Sequence, residues 1–184
     1  MSLRENSIKL LHSWVSNESL RRHCYAVAAA MEGYAKNNGL SEEECEKWYI
    51  CGLLHDMDYE KFPSLEHHPH ECVKVLKELG YSNEIINAIL GHGNHTGVKR
   101  ESTMAKTLFA IDELCGLVVA LSKVRSDGFS TMTTESIEKA LKKKGFAAAI
   151  SREDIEQGIK ELGIDRTEHF ESVIDSLRVN KVFK

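Results

Sequence analysis

GLLHDMDY, residues 52–59, is the stretch on which the fold turns. An apolar run, Gly52-Leu53-Leu54, breaks off at His55-Asp56. The leucines mark a buried face, and a charge carried into a buried face is costly unless it is paired or bound to a metal. The His-Asp pair therefore either caps an exposed helix end or is held by something inside. Immediately upstream, Ser41-Glu42-Glu43-Glu44 has the form of a capping box and opens a helix that runs to about His55. A loop follows from Asp56 to His68, containing Pro63; Pro69, the second of only two prolines, suits the first position of the next helix, which stops at Gly80.

Outward from this core the pattern stays helical. Leu3 to Trp14 and Glu18 to Lys36 precede it, the latter closed by Asn37-Asn38-Gly39. Ser82 begins a helix that ends near Gly91-His92-Gly93, and a polar loop leads to a long helix from about Thr103 to Val124. Three more helices are expected over Thr134–Lys143, Arg152–Leu162 and Arg166–Leu177, with Ser151 and Asp165 as N-caps. Phe170, Val173, Ile174 and Leu177 form an apolar stripe on the last of them. No strand-like alternation persists. The expectation is an all-α single domain over 1–184, a helical bundle with a core over about 15–125 and a C-terminal helical extension over about 126–184.

Composition bounds the function. A chain of 184 residues buries roughly 70% of its unfolded surface, enough for a real core. The net charge of -4 argues against broad nucleic-acid binding, which leaves a basic footprint. It leaves room for a small phosphorylated molecule, which needs only local cations. Five cysteines (24, 45, 51, 72 and 115) form no CxxC pair and read as reduced thiols. The N-terminus, MSLRENSIKLLHSWV, is too polar for a signal peptide, and no apolar run approaches the roughly 20 residues that cross a bilayer. A cytoplasmic protein without a membrane partner is expected; the sequence says nothing of oligomeric state.

Helical spacing places several polar residues inward. His23 lies three residues after Leu20 and four before Val27. His55 shares a face with Trp48 and Cys51, and Asp112 falls inside the stripe of Leu108, Ile111, Cys115 and Val119. Taken singly each has a plain explanation: an inward histidine is usually a hydrogen-bonded core residue, and Asp112 has a candidate partner in Arg22. Together, His23, His55, Asp56 and Asp112 offer neutral imidazoles and carboxylates from three helices, the donor set of a divalent cation. Histidines recur in Glu66-His67-His68-Pro69-His70 and in the loop of His92 and His95. His67, His70 and His95 read as solvated loop residues, and His12 and His169 as surface residues.

In order, the segments RRHCYAVAAAMEGYA, GLLHDMDYE, EHHPHECVKVL, AILGHGNH and KTLFAIDELCGL, spanning residues 21–117, resemble the HD superfamily of metal-dependent phosphohydrolases. The tail, KALKKKGFAAAISREDIEQGIKELGI, resembles the helical extension of a bacterial and archaeal subgroup known mostly as predicted hydrolases. The resemblance implies that His23, His55, Asp56 and Asp112 hold a first metal. It implies that His68 and His92 hold a second, with Asp56 bridging and His95 the competitor for the place of His92. Where many dinuclear members carry Lys three residues after the aspartate, this chain has Tyr59, and Glu60 stands one position beyond the catalytic Glu of nucleotidase-like members.

The implied activity is hydrolysis of a small phosphate ester, a nucleotide among the candidates, by a metal-activated water. Asp112 or Asp58 is the candidate proton acceptor, beside Asp56. The ligand types suit one or two ions of Fe, Mn, Co, Ni or Zn. Lys99, Arg100 and Arg125 are candidates for the substrate phosphate, although each basic pair also reads as a solvated helix or loop end. Two alternatives stand beside this: a di-iron oxygenase of the same fold, and a metal- or nucleotide-binding regulatory module without turnover.

Overall fold

The structure, a computed structural model, describes residues 2–179. Among the described residues there are helices and no strand: α1 Leu3–Trp14, α2 Glu18–Asn37, α3 Glu42–Leu54, α4 His70–Glu78, α5 Asn83–Gly91, α6 Thr103–Lys123, α7 Thr134–Lys142, α8 Arg152–Leu162 and α9 Arg166–Val179. A short 3-10 turn covers Asn94–Thr96. The all-α expectation holds, and the boundaries agree within a residue or two. None of these helices is long and apolar enough to cross a membrane.

The caps explain why the elements begin where they do. Side-chain oxygens of Asn17, Ser41, Ser82, Ser102 and Ser151 each accept from a backbone N–H in the first turn of the next helix; such caps contribute about 1 kcal/mol each. Asp165 accepts from the N–H groups of Thr167 and Glu168 in the same way. At α3 only half of the expected capping box forms. Ser41 accepts from Glu44 N–H, but the Glu44 carboxylate turns to Lys47, 2.6 Å away.

The site is positioned by α2, α3 and α6, which pack around one apolar core. The inner face of α2 is rich in alanine (Ala26, Ala28, Ala29, Ala30 and Ala35), so its neighbours approach closely. Gly52 of α3 lies directly on the α2 backbone: a Cβ there would stand 2.8 Å from the Val27 carbonyl and the Ala28 nitrogen. Backbone cannot move aside cheaply, so glycine is required where α3 crosses α2, one turn before His55. The extension returns onto the same helices. Gly158 of α8 sits against Ala110 of α6, and Ser176 of α9 against Gly33 of α2.

His169, read from the sequence as a surface residue, is fully buried. Its Nε2–H donates to the Ala110 carbonyl at 3.1 Å, so its Nδ1 accepts from the Tyr34 hydroxyl. One ring thereby ties α9 to α6 and α2. Burial, against the weaker opposing effect of the Ala110 bond, pulls its pKa down to about 4. Between the unfolded value, about 6.5, and 4 the unfolded chain binds a proton that the native ring refuses, so stability falls as pH drops through that window. Chemical denaturation of wild type and His169→Gln at pH 7 and pH 5 checks this. The stability gap between them should shrink by about 2 kcal/mol at the lower pH. A gap independent of pH would mean the ring titrates in the fold as it does in the unfolded chain.

Candidate metal centre

The end of α3 fixes the first imidazole. His55 is buried, and its Nδ1–H donates to the Gly52 carbonyl one turn back, at 2.8 Å. A carbonyl only accepts, so the proton sits on Nδ1 and Nε2 presents a lone pair inward. That atom lies 3.3 Å from Asp112 Oδ1 of α6 and 3.3 Å from His23 Nε2 of α2. His23 Nε2 is 2.9 Å from the same Asp112 oxygen. Three ligand atoms from three helices thus fall within 4.8 Å of one another.

A second triad lies beside the first. His68 Nδ1–H donates to Asp58 Oδ1 at 2.7 Å, and His92 Nδ1–H to the Ile89 carbonyl at 2.6 Å. Both rings therefore turn their Nε2 atoms toward each other, 3.1 Å apart. Asp56 completes this group: its Oδ1 is 3.3 Å from His68 Nε2 and 3.4 Å from His92 Nε2. Its other oxygen, Oδ2, faces the first triad, 3.5 Å from His55 Nε2 and 3.7 Å from His23 Nε2. One carboxylate is thus shared between two sets of converging lone pairs.

Lone pairs pointed at one another repel, and something positive must lie between them. In the bare protein, protons serve. Burial pushes against charge on His55, but Asp56 and Asp112 outweigh it and hold its pKa up to about 9; His68 is likewise raised to about 9 against burial by Asp56 and Asp58. Burial would raise the carboxyls of Asp56 and Asp112, yet the facing imidazoles, His55 foremost, hold both well below the usual range. A divalent cation would replace those protons, and the hydrogen bonds behind three of the rings already set the tautomer a metal needs. The donor set of each triad therefore fits a divalent metal ion.

Both triads open onto a cavity of about 470 Å³. His23, Asp56, His68, His92 and Asp112 line it, while His55 lies buried behind them. Asp58 does not line it. Fully buried, Asp58 has Oδ1 on His68 and Oδ2 on the Cys72 N–H at 2.8 Å, so it holds the His68 ring from behind and does not face the cavity. None of the three expected phosphate cations lines it either. Lys99 borders a separate cavity with Glu84 and Asn87. Arg100 is spent on Glu161, at 2.7 and 2.8 Å, and stacks on Phe109. Arg125 binds Asp127 and Thr131. Glu60 accepts from the N–H groups of Ser16 and Asn17 ahead of α2.

The cavity wall holds residues that helical spacing did not single out: Asn94, Phe109 and Glu113, with Ala149, Ile150 and Asp154 from the extension. Glu113 accepts from the Ser151 N–H at 3.1 Å; burial, with Asp112 beside it, raises its carboxyl to about 7. Its neighbour Asp112 was the visible signal, but Glu113 is set on the wall by a loop 38 residues away.

The HD domain family profile matches residues 20–117, more than half of the chain, and takes in both triads. The chain belongs to the HD domain family. Comparison with curated proteins and with solved structures yields no match. The match to the HD domain, a fold of metal-dependent phosphohydrolases, ends inside α6, and α7 to α9 lie beyond the matched residues.

Within the HD domain, His92 and His95 are separable. His92 turns Nε2 to the second triad, whereas His95 donates Nε2–H to the His68 carbonyl at 2.8 Å with its ring over Gly93. His92→Ala should lose metal at the second triad and roughly a hundredfold or more in activity, and His95→Ala no more than about tenfold. The reverse order, read by metal analysis and turnover together, would place the ligand at 95.

Proposed function

We propose that this chain hydrolyses a small phosphate monoester, with Asp56 and Asp112 and the imidazoles of His23, His55, His68 and His92 holding up to two divalent ions. The observation that carries this is Asp56, which turns one oxygen to each set of imidazoles. Ions held there supply a Lewis acid for the phosphoryl oxygens and a lowered pKa for a water. The chain's own part is geometric. Gly52, Ile89 and Asp58 lock three ring tautomers from behind, and α2, α3 and α6 fix the spacing. In the reaction the water oxygen bonds to phosphorus, the ester P–O bond breaks, and the alcohol leaves carrying a proton. Five cysteines, all buried as free thiols, suit a cytoplasmic setting.

Elemental analysis of protein purified without added metal, followed by turnover of p-nitrophenyl phosphate and a panel of nucleoside monophosphates, tests the proposal. Bound transition metal is expected, with activity abolished by chelation and restored by Mn, Fe or Co. Protein that holds no metal and stays inert with every ion would overturn it. Turnover that stops when oxygen is removed would favour the oxidative alternative instead.

A further inference from the structure

The cavity above the triads carries a charge pattern that bears on the substrate. Among the described residues no lysine or arginine lines it, but two further carboxylates do, Glu113 and Asp154. The arginines close by are committed elsewhere. Arg100 is neutralised by Glu161, and Arg152 donates to the carbonyls of Phe146, Ala147 and Ile150, fixing the loop that carries Ile150 to the wall. Asp154 is itself held in place, because its Oδ1 accepts from Asn94 Nδ2 at 3.0 Å and so clamps α8 to the turn after His92. Phe109, Leu65 and Ile150 supply apolar wall between these polar points.

A polyphosphate needs a cation for each phosphate beyond those that the metal ions take up. Here its second and third phosphates would meet carboxylates, in a partly closed cavity where like charges repel more strongly than in water. A single phosphate over the triads leaves the rest of the substrate facing Glu113, Asp154 and the apolar wall. Asp154 and Ile150 also lie outside the residues that the family profile matches, so this selectivity belongs to the chain's own extension.

Resting on the phosphomonoesterase reading above, we infer that the preferred substrate is the phosphomonoester of a small amine-bearing alcohol, its ammonium group received by Asp154. Asp154 is a specificity-determining group, apart from the chemistry at the triads.

Calorimetric binding of non-hydrolysable pairs tests this on the full chain as purified with its metal. 2-Aminoethylphosphonate is compared with propylphosphonate, and 3-aminopropylphosphonate with butylphosphonate; each pair exchanges only an ammonium for a methyl group. At least one amine should bind about tenfold more tightly than its partner. Asp154→Asn keeps the acceptor for Asn94 and should cut that ratio to about twofold. Asp154→Lys should reverse it, favouring 3-phosphonopropionate over 3-aminopropylphosphonate. Equal binding within both pairs, or a ratio unmoved by both variants, would overturn the inference. Turnover of p-nitrophenyl phosphate separates the two levels. Turnover with equal binding sinks the amine inference alone, and an ammonium preference without turnover sinks the hydrolase reading alone.

Discussion

Asp56→Ala should strip the metal and lower kcat/KM by at least about a thousandfold, roughly 4 kcal/mol of transition-state stabilisation, while leaving the helices standing. Both oxygens of this residue are engaged, one with each triad, so alanine removes a ligand from both sets at once. The fold should survive because the loss is self-limiting. His55 and His68 hold protons up to about 9 in the bare protein partly because Asp56 faces them. Without it, Asp112 still pairs with His55 and Asp58 with His68, so each remaining carboxylate keeps an imidazole partner and no uncompensated charge is left inside. The apolar core formed by α2, α3, α5 and α6 is untouched. Metal analysis should therefore show depletion, circular dichroism an unchanged helical spectrum, and thermal melting a lower Tm in the metal-loaded comparison, since a bound ion stabilises only the native state. Wild-type metal content in Asp56→Ala would contradict the bridging role outright.

The helices were legible because their signals are local. Ser82, Ser102 and Ser151 each cap the helix after them, and Gly39 and Gly80 each stop the helix before them. The first triad was legible because His23, His55 and Asp112 lie at three- and four-residue offsets from apolar neighbours on long helices, where periodicity predicts direction. That signal ends with the helix. Asp56, Asp58 and Glu60 come after α3 in a run of turns, and nothing in a two-residue spacing tells which faces the cavity, which supports His68 and which reaches back to Ser16. Arg100 looked available because its partner, Glu161, is 61 residues away. His169 is a different case. It stands four residues before Val173 and eight before Leu177, on the very stripe noted for α9, and the spacing that found Asp112 also places His169 inside.

Asp58→Asn should separate a positioning carboxylate from a catalytic base. In the structure Asp58 accepts from two buried donors, the His68 Nδ1–H and the Cys72 N–H. Asparagine matches its size but brings one acceptor oxygen and an NH2 group, so one of those donors must face another donor. Leaving a buried donor unsatisfied costs about 1–3 kcal/mol of stability. The larger consequence is for the metal. Released from Asp58, the His68 ring is free to take the other tautomer or to turn, and loss of such a supporting partner lowers metal affinity by roughly 10–100-fold. The effect should be confined to the second triad, because His55 and His23 have no contact with Asp58 in their hydrogen bonding. A metal titration should thus show one binding step weakened and the other unchanged, with turnover recovering as added metal refills the weakened step. A general base behaves differently: its removal would cost about 10²–10⁴-fold in kcat at any metal concentration. If Asp58→Asn binds metal with wild-type affinity at both steps and still fails to turn over, then Asp58 reaches the reacting water, and the cavity must open further in solution than its two hydrogen bonds now allow.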